Sequence, residues 1–307
     1  MLADHDEAAV PNTYISFRFH EHVIPDFYNG YFESNSHGKQ LTKFITKRFG
    51  TNELLGIKPS DFFSIILPTP ELKEEQQKIA DCLSSLEELI AAEDNKLKAL
   101  KDHKKGLIQK LIPTEGKALP ELRFPEYRSH GEWNKTAFKH VFDSLHIATI
   151  TSSLKEQAAD PSGDGAVDNA GSSVEDEIVI VGTGPNIGKA YMHSVIYDTQ
   201  HSNRSLIHGS VNKQHHPEFI LAQTLTSRYE KWVAKITTHP MQPRIRTIEY
   251  ESFTFYCPSL LEQKKIADCL SSIDDLIKAQ LKKIEHLRVH KRGLLQSLYP
   301  SVGEIRG

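Results

Sequence analysis

The eight residues Lys78–Ser85, KIADCLSS, return letter for letter at Lys265–Ser272, and no other feature restricts the fold as strongly. Aligned without gaps at an offset of about 187 residues, the likeness runs from Glu75–Pro113 onto Glu262–Pro300, with roughly 22 of about 39 positions identical. Most of the rest are conservative, as in Glu87/Asp274, Glu88/Asp275, Lys105/Arg292 and Ile108/Leu295. The unit is duplicated.

Its apolar period defines what it forms. In the first copy Ile79, Leu83, Leu86, Ile90, Leu97, Leu100, Leu107 and Leu111 step by alternating threes and fours. The second copy gives Ile266, Leu270, Ile273, Ile277, Ile284, Leu287, Leu294 and Leu298 in the same register. That alternation is the seam of a coiled coil. Two seam positions are polar in both copies, Glu93/Gln280 and Lys104/Lys291, a choice that costs stability and helps to fix register. Prolines punctuate both ends: Pro70 and Pro258 before, Pro113 and Pro300 after. Each predicted helix is about 55 Å long. Duplicated units commonly pack about a pseudo-twofold axis, which makes the two helices antiparallel. Cys82 and Cys269 then lie too far apart for a disulfide, and the odd count of three cysteines without zinc spacing implies a reducing compartment.

The segments before the helices are unequal. About 150 residues, Thr114 to Leu261, precede the second helix, the size of one domain. Strand-like runs DEIVIVG and KAYMHSVIYD flank the turn-rich GTGPNIGK (Gly182–Lys189), HPEFILAQTLTSRYEKWVAKI has helical period, and TIEYESFTFYCP alternates as a strand should. Only about 74 residues precede the first helix. There TYISFRFHEHVIPDFYNGYF corresponds to the helical run and GIKPSDFFSIILPTP to the alternating one, so this piece corresponds to the back half of the same kind of domain. The fold class is α+β: mixed domains joined by two long antiparallel coiled-coil helices with a pseudo-twofold repeat.

Chemistry is conspicuous by what fails to match. In GTGPNIGK the residue five before Gly188 is Thr183, so the phosphate-loop spacing is broken, and the dinucleotide fingerprint fails as well. The default for this stretch is a tight turn. IPDFYNGYFES (Ile24–Ser34) faintly suggests a nuclease Pro-Asp and Glu pair but lacks the lysine. Of the 16 histidines only His286 and His290 stand four apart on a predicted helix, and the histidines read as surface or core groups. The reading is therefore of no catalytic site, no metal site and no bound cofactor. The acidic tract Glu156–Glu177 is too rich in Gly, Ala, Ser and Asp to bury a core and reads as a mobile loop. Without it the net charge of −3 becomes about +4, so charge alone decides nothing about nucleic acid. No secretory signal and no membrane-length apolar run is present, and a cytoplasmic location is expected.

The repeated layout of variable domain, P…EQxKIAxCLSSxD/E, long helix and KxGLxQxLxP resembles the specificity subunit of a type I restriction-modification system. The matching residues are Glu75-Gln76-Gln77-Lys78-Ile79-Ala80 with Lys105-Gly106-Leu107-Ile108-Gln109, and Glu262-Gln263-Lys264-Lys265-Ile266-Ala267 with Arg292-Gly293-Leu294-Leu295-Gln296. LRFPEY…W (Leu122–Tyr127, Trp133) resembles the family's entry to a second target recognition domain. The resemblance divides the chain into a partial first target recognition domain (1–74) lacking its N-terminal half, a first conserved helix (75–113), a second recognition domain (114–261), a second conserved helix (262–300) and a tail (301–307). It implies a non-catalytic reader of a bipartite site in double-stranded DNA. Modification subunits would dock on it and supply S-adenosylmethionine chemistry, and restriction subunits would join that core and bring ATP, Mg and cleavage. Self-association, to present two copies of the intact domain, is a further expectation, and no membrane partner is implied. The other function weighed is a decoy that binds modification subunits through the coiled coil without reading DNA.

Base and phosphate contacts call for Arg, Lys, Asn, Gln and His on exposed turns. The candidates are Asn186 and Lys189 in the turn, His201, Asn203 and Arg204 in HSNR, Gln242, Arg244 and Arg246 in MQPRIR, and Lys39, Gln40, Lys47 and Arg48 in Asn12–Ile66.

Overall fold

In the computed structural model the two repeats form two 39-residue helices, α4 (Lys73–Leu111) and α8 (Leu260–Leu298). The structure describes residues 15–44, 46–49, 54–149, 177–193, 205–237 and 243–299. The chain divides into two units, Met1–Ala99 with Lys278–Gly307, and Leu100–Ile277, so each long helix contributes a part to both. Every residue of the predicted seam is buried or half-buried, and the polar faces between them are exposed.

In the first unit the helices run antiparallel, since Glu93 meets Gln280, Glu87 meets Lys291, and Leu83 shares a core with Leu295 and Tyr299. Gln280 Nε2 donates to the Glu93 carboxylate at 2.7 Å and to its carbonyl at 3.0 Å, and Lys283 Nζ reaches the second carboxylate oxygen at 2.5 Å. Glu93 and Gln280 are the same position of the two repeats, so the polar interruption of the seam pairs with its own counterpart. Hydrogen bonds from Gln280 and Lys283 hold the Glu93 carboxyl below the usual carboxylate range. In the second unit Lys104 Nζ binds both oxygens of Asp274 at 2.6 and 2.8 Å. Its repeat counterpart, Lys291, binds Glu87, the counterpart of Asp274, at 2.7 Å. The polar seam residues thus specify pairing through buried or half-buried ion contacts.

The first unit packs helix α1 (Pro25–Glu33) on this pair. Phe27, Tyr28 and Tyr31 are 1% exposed and form a core with Leu83, Leu295 and Tyr299. Gly30 permits the approach: a Cβ there would stand 2.6 Å from Leu83 Cδ1 and from Tyr299 Oη. Tyr299 Oη donates to the Phe27 carbonyl, which closes the contact. Among the described residues of TYISFRFHEHVIPDFYNGYF helical structure begins at Pro25, whose fixed φ suits the first helical position. After α2 (Ser36–Leu41), the short hairpin β1 (Thr46–Phe49) and β2 (Leu54–Gly56), and α3 (Pro59–Phe62), the chain runs extended to the long helix.

The second unit holds the larger core. β3 (Asn134–Ala137) pairs antiparallel with β8 (Thr254–Cys257). A four-stranded antiparallel sheet has the order β4 (Phe142–Thr149), β7 (Ser205–Val211), β5 (Glu177–Val181), β6 (Ala190–Met192). Ile178, Ile180 and Ile207 face a core completed by Phe138, Phe219, Tyr250, Phe253 and Phe255, with Ile108, Leu111, Ile266 and Leu270 of the long helices. The predicted helical run HPEFILAQTLTSRYEKWVAKI is two helices, α5 (Pro217–Gln223) and α6 (Ser227–Ile236), because Thr226 caps the second with its hydroxyl on the Tyr229 amide. TIEYESFTFYCP also departs from the expected strand: Thr247–Glu251 is helix α7 and only Thr254–Cys257 is strand. The Glu249 carboxylate accepts from the Arg246 amide at 2.9 Å, which stabilises that helical turn, and Tyr250 is fully buried. The tract Glu156–Glu177 lies outside the described residues except for Glu177, which opens β5.

Both units fasten their domain to the long helix by the same device. Gln76 Oε1 accepts from the Ile24 amide at 2.9 Å while its Nε2 donates to the Pro70 carbonyl at 2.9 Å. Gln263 Oε1 accepts from the His216 amide at 2.9 Å while its Nε2 donates to the Pro258 carbonyl at 3.0 Å. Ile24 and His216 each precede a helix-opening proline and have an amide that the helix cannot satisfy. At the neighbouring glutamate the units differ. Glu262, 2% exposed, takes a bidentate pair from Arg123 at 2.8 and 2.9 Å and a bond from Trp133 Nε1 at 3.3 Å. Its counterpart Glu75 is exposed.

Two outcomes follow from these contacts. Glu262→Ala is expected to cost about 3–5 kcal/mol, because Arg123 loses its buried partner, whereas Glu75→Ala stays within about 0.5 kcal/mol; denaturant titration of each variant checks the contrast. A lowered Glu93 carboxyl contributes stability above its unfolded value of about 4.3 and loses it as the pH falls through the folded value. The melting temperature should therefore fall more steeply from about pH 5 to 3 in the parent than in Glu93→Gln, and equal slopes would contradict the assignment.

Candidate nucleic-acid interface

The turn between β5 and β6 is held from two sides. Its backbone closes on itself through Gly188 N to Val181 O, Val181 N to Lys189 O and Ile187 N to Gly184 O, at 2.8, 2.8 and 3.1 Å. Gly188 has φ +81°, and a Cβ there would stand 2.7 Å from Val233 of α6. Tyr229 Oη of the same helix donates to the Gly188 carbonyl at 2.7 Å. Burial raises the Tyr229 phenol well above its ordinary value, so it remains a donor across the working pH range. The turn is therefore a rigid platform.

On its other side Thr183 bridges to Arg244, and the Ile245 amide donates to the Gly182 carbonyl at 3.0 Å. Ile245 is 1% exposed, so the extended backbone turns Arg244 and Arg246 outward on either side of it. Two groups of sequence candidates far apart in the chain thus share one rim: Asn186 half-buried, with Lys189, Arg244 and Arg246 exposed. Arg246 also spends part of its charge on Glu249 at 2.6 Å. Cations and an amide on a stiff turn suit contacts to phosphates and base edges.

The remaining candidates are placed differently. Gln40 donates to the Ile66 carbonyl at 2.8 Å and accepts from the Ile66 amide at 2.9 Å, so its amide group acts toward that segment as a neighbouring strand would. Lys39 is exposed on α2, and Lys47 and Arg48 lie on β1. His201, Asn203, Arg204 and Gln242 fall outside the described residues. Among the described residues the first unit has only the two-stranded sheet, with no counterpart of the four-stranded one.

The helices carry a second feature that seam analysis misses. Leu89 and Leu276 are the same repeat position, off the seam, and are 43% and 56% exposed. Identity between the repeats at a position with no role in the seam is the signal that marks them. Exposed leucines recurring in both copies suit contact with a partner that itself occurs twice.

The comparisons with known proteins agree with this layout. Residues 4–102 and 161–286 match the sequence model described as the type I restriction modification DNA specificity domain. The type I restriction enzyme MjaVIII specificity subunit of Methanocaldococcus jannaschii is 25% identical over 277 residues, which cover 80% of this chain and 63% of that protein. The chain thus spans less than two thirds of that relative's length. The S subunit of a type I restriction-modification system from M. genitalium shares the fold with a TM-score of 0.56 at 18% identity, covering 91% of this chain and 73% of that one. A second solved chain, from work on complex assembly and conformational transition of the type I system, gives 0.53 at 15% identity, covering 88% and 70%.

Proposed function

Because the chain belongs to the type I restriction-modification DNA specificity family, we propose that it selects the DNA sequence on which a modification complex acts and contributes no catalytic group of its own. The observation that carries this reading is the union of the family match, which reaches both repeats, with the cationic rim Lys189–Arg244–Arg246 on the second unit. Readout on this proposal falls to Leu100–Ile277, where the turn is braced by α6 and the Ile245 segment. Asn186, Arg244 and Arg246 offer donors to base edges, and Lys189 neutralises phosphate. The first unit serves chiefly to complete the helix pair. Modification subunits would seat on α4 and α8, at Leu89 in one unit and Leu276 in the other, and bring S-adenosylmethionine. Restriction subunits would join that core with ATP and Mg. Among the described residues no helix is long and apolar enough to cross a membrane.

The test uses the chain co-purified with its modification subunit and a panel of duplexes. Arg244→Ala is expected to cost about 1–3 kcal/mol on the cognate duplex and to relax preference at one base pair, whereas Lys189→Ala should weaken all duplexes alike and lower the salt slope by about one. Complex formation with no sequence preference in the parent would favour the decoy function instead. Leu89→Glu with Leu276→Glu should abolish co-purification with the modification subunit while melting as the parent does; retained co-purification would remove the helices as the docking surface.

A further inference from the structure

The register of the four-stranded sheet gathers four side chains that lie far apart in sequence. His146 of β4 stands directly opposite His208 of β7. Glu177 opens β5 opposite Ser210, two residues along β7 from His208, and therefore on the same face. His193 follows Met192, the partner of Ile178, and so lies across from Glu177 at the end of β6. The sequence spacing of these histidines contains no metal signature because strand pairing, not helical period, brings them together.

Their geometry is specific. His208 Nδ1 stands 3.3 Å from Glu177 Oε1, and His193 Nε2 stands 3.4 Å from Glu177 Oε2. One nitrogen from His146, one from His208 and one oxygen of Glu177 all lie within 4.8 Å of each other. A charge-assisted hydrogen bond would draw such atoms to about 2.7–2.9 Å. Ligands bound about 2.0–2.1 Å from a tetrahedral metal stand about 3.3 Å apart, which is the spacing found between His208 and Glu177. The imidazoles of His146 and His208 are stacked at 5.3 Å, and those of His193 and His208 meet edge to face at 5.7 Å. Three protonated rings around one carboxylate would repel one another. His146 is exposed, which leaves one side of the cluster open to solvent.

We propose that His146, Glu177 and His208 bind one divalent transition-metal ion of the zinc class, and that His193 positions the Glu177 carboxylate through its second oxygen. Two imidazoles and one carboxylate suit zinc or cobalt; magnesium and calcium prefer oxygen alone. Bound there, the ion ties β4, β7 and β5 together through side chains as well as through the backbone ladder. His193 acts from outside the ligand set, as partners of ligating groups commonly do. The site does not depend on the DNA-reading function above.

The test uses the untagged full chain, stripped with EDTA and titrated with cobalt chloride, then with zinc chloride as competitor. One cobalt per chain with visible absorption of a tetrahedral centre, displaced by one zinc, is the expected result. His146→Ala, at an exposed position, should keep the parent's circular dichroism and lose that absorption, and Glu177→Gln should behave likewise. His193→Ala should bind roughly 10–100-fold more weakly rather than not at all. His286→Ala, which breaks the exposed i,i+4 pair His286/His290 on α8, should retain the one tetrahedral cobalt; loss of that signal would assign it to the helix and overturn the site. Absence of stoichiometric cobalt or zinc in the parent, or unaltered binding in His146→Ala and Glu177→Gln, would overturn the site.

Discussion

Burial of the seam between α4 and α8 is the interaction on which both units depend. In the first unit the aromatic face of α1 closes on Leu83, Leu295 and Tyr299. In the second the sheet core is completed by Ile108, Leu111, Ile266 and Leu270. The seam is apolar enough to be stable and polar at chosen points to be unique. Glu93 bonded to Gln280, its own repeat counterpart, satisfies both amide and carboxylate in one register; a shift by a heptad would leave them facing leucine. The paired exchanges Lys104–Asp274 and Lys291–Glu87 enforce the same alignment.

Much of this was legible because it is local or repeated. Period alone identified every seam residue, and the prolines marked the ends of the helices. The Gly182–Lys189 turn was readable too, since two glycines there take positive φ. What escaped were contacts made by chain segments far apart. TIEYESFTFYCP alternates in sequence, yet the bond from the Arg246 amide to Glu249 coils its first half. Gln40 reads as a groove-edge amide, but Ile66 claims both ends of it. Leu89 and Leu276 were visible only as identities between the repeats that the seam did not need. No local pattern places Arg123 and Trp133 on Glu262, or joins His146, Glu177 and His208 across three strands.

The unequal units separate the tasks of the molecule. Gln76 and Gln263 seat a helix start on each long helix by the same pair of bonds, so attachment is common to both repeats. Only Glu262 has the Arg123–Trp133 clamp, and only the second unit, among the described residues, has the four-stranded sheet that carries the braced turn. Attachment is duplicated, whereas the surface proposed to read DNA lies on the second unit alone. On the proposed function, packing and docking would constrain the helices, where repeat identity is high, and the DNA sequence chosen would constrain the domains, where it is low.

The most direct measurement is to map methylated bases in a host genome that expresses this chain with its modification subunit, and again after residues 114–261 are exchanged for those of another family member. The account requires methylation at one defined sequence that depends on the chain and changes when that segment is exchanged. Methylation without sequence preference, or the same sequence methylated after the exchange, would contradict it.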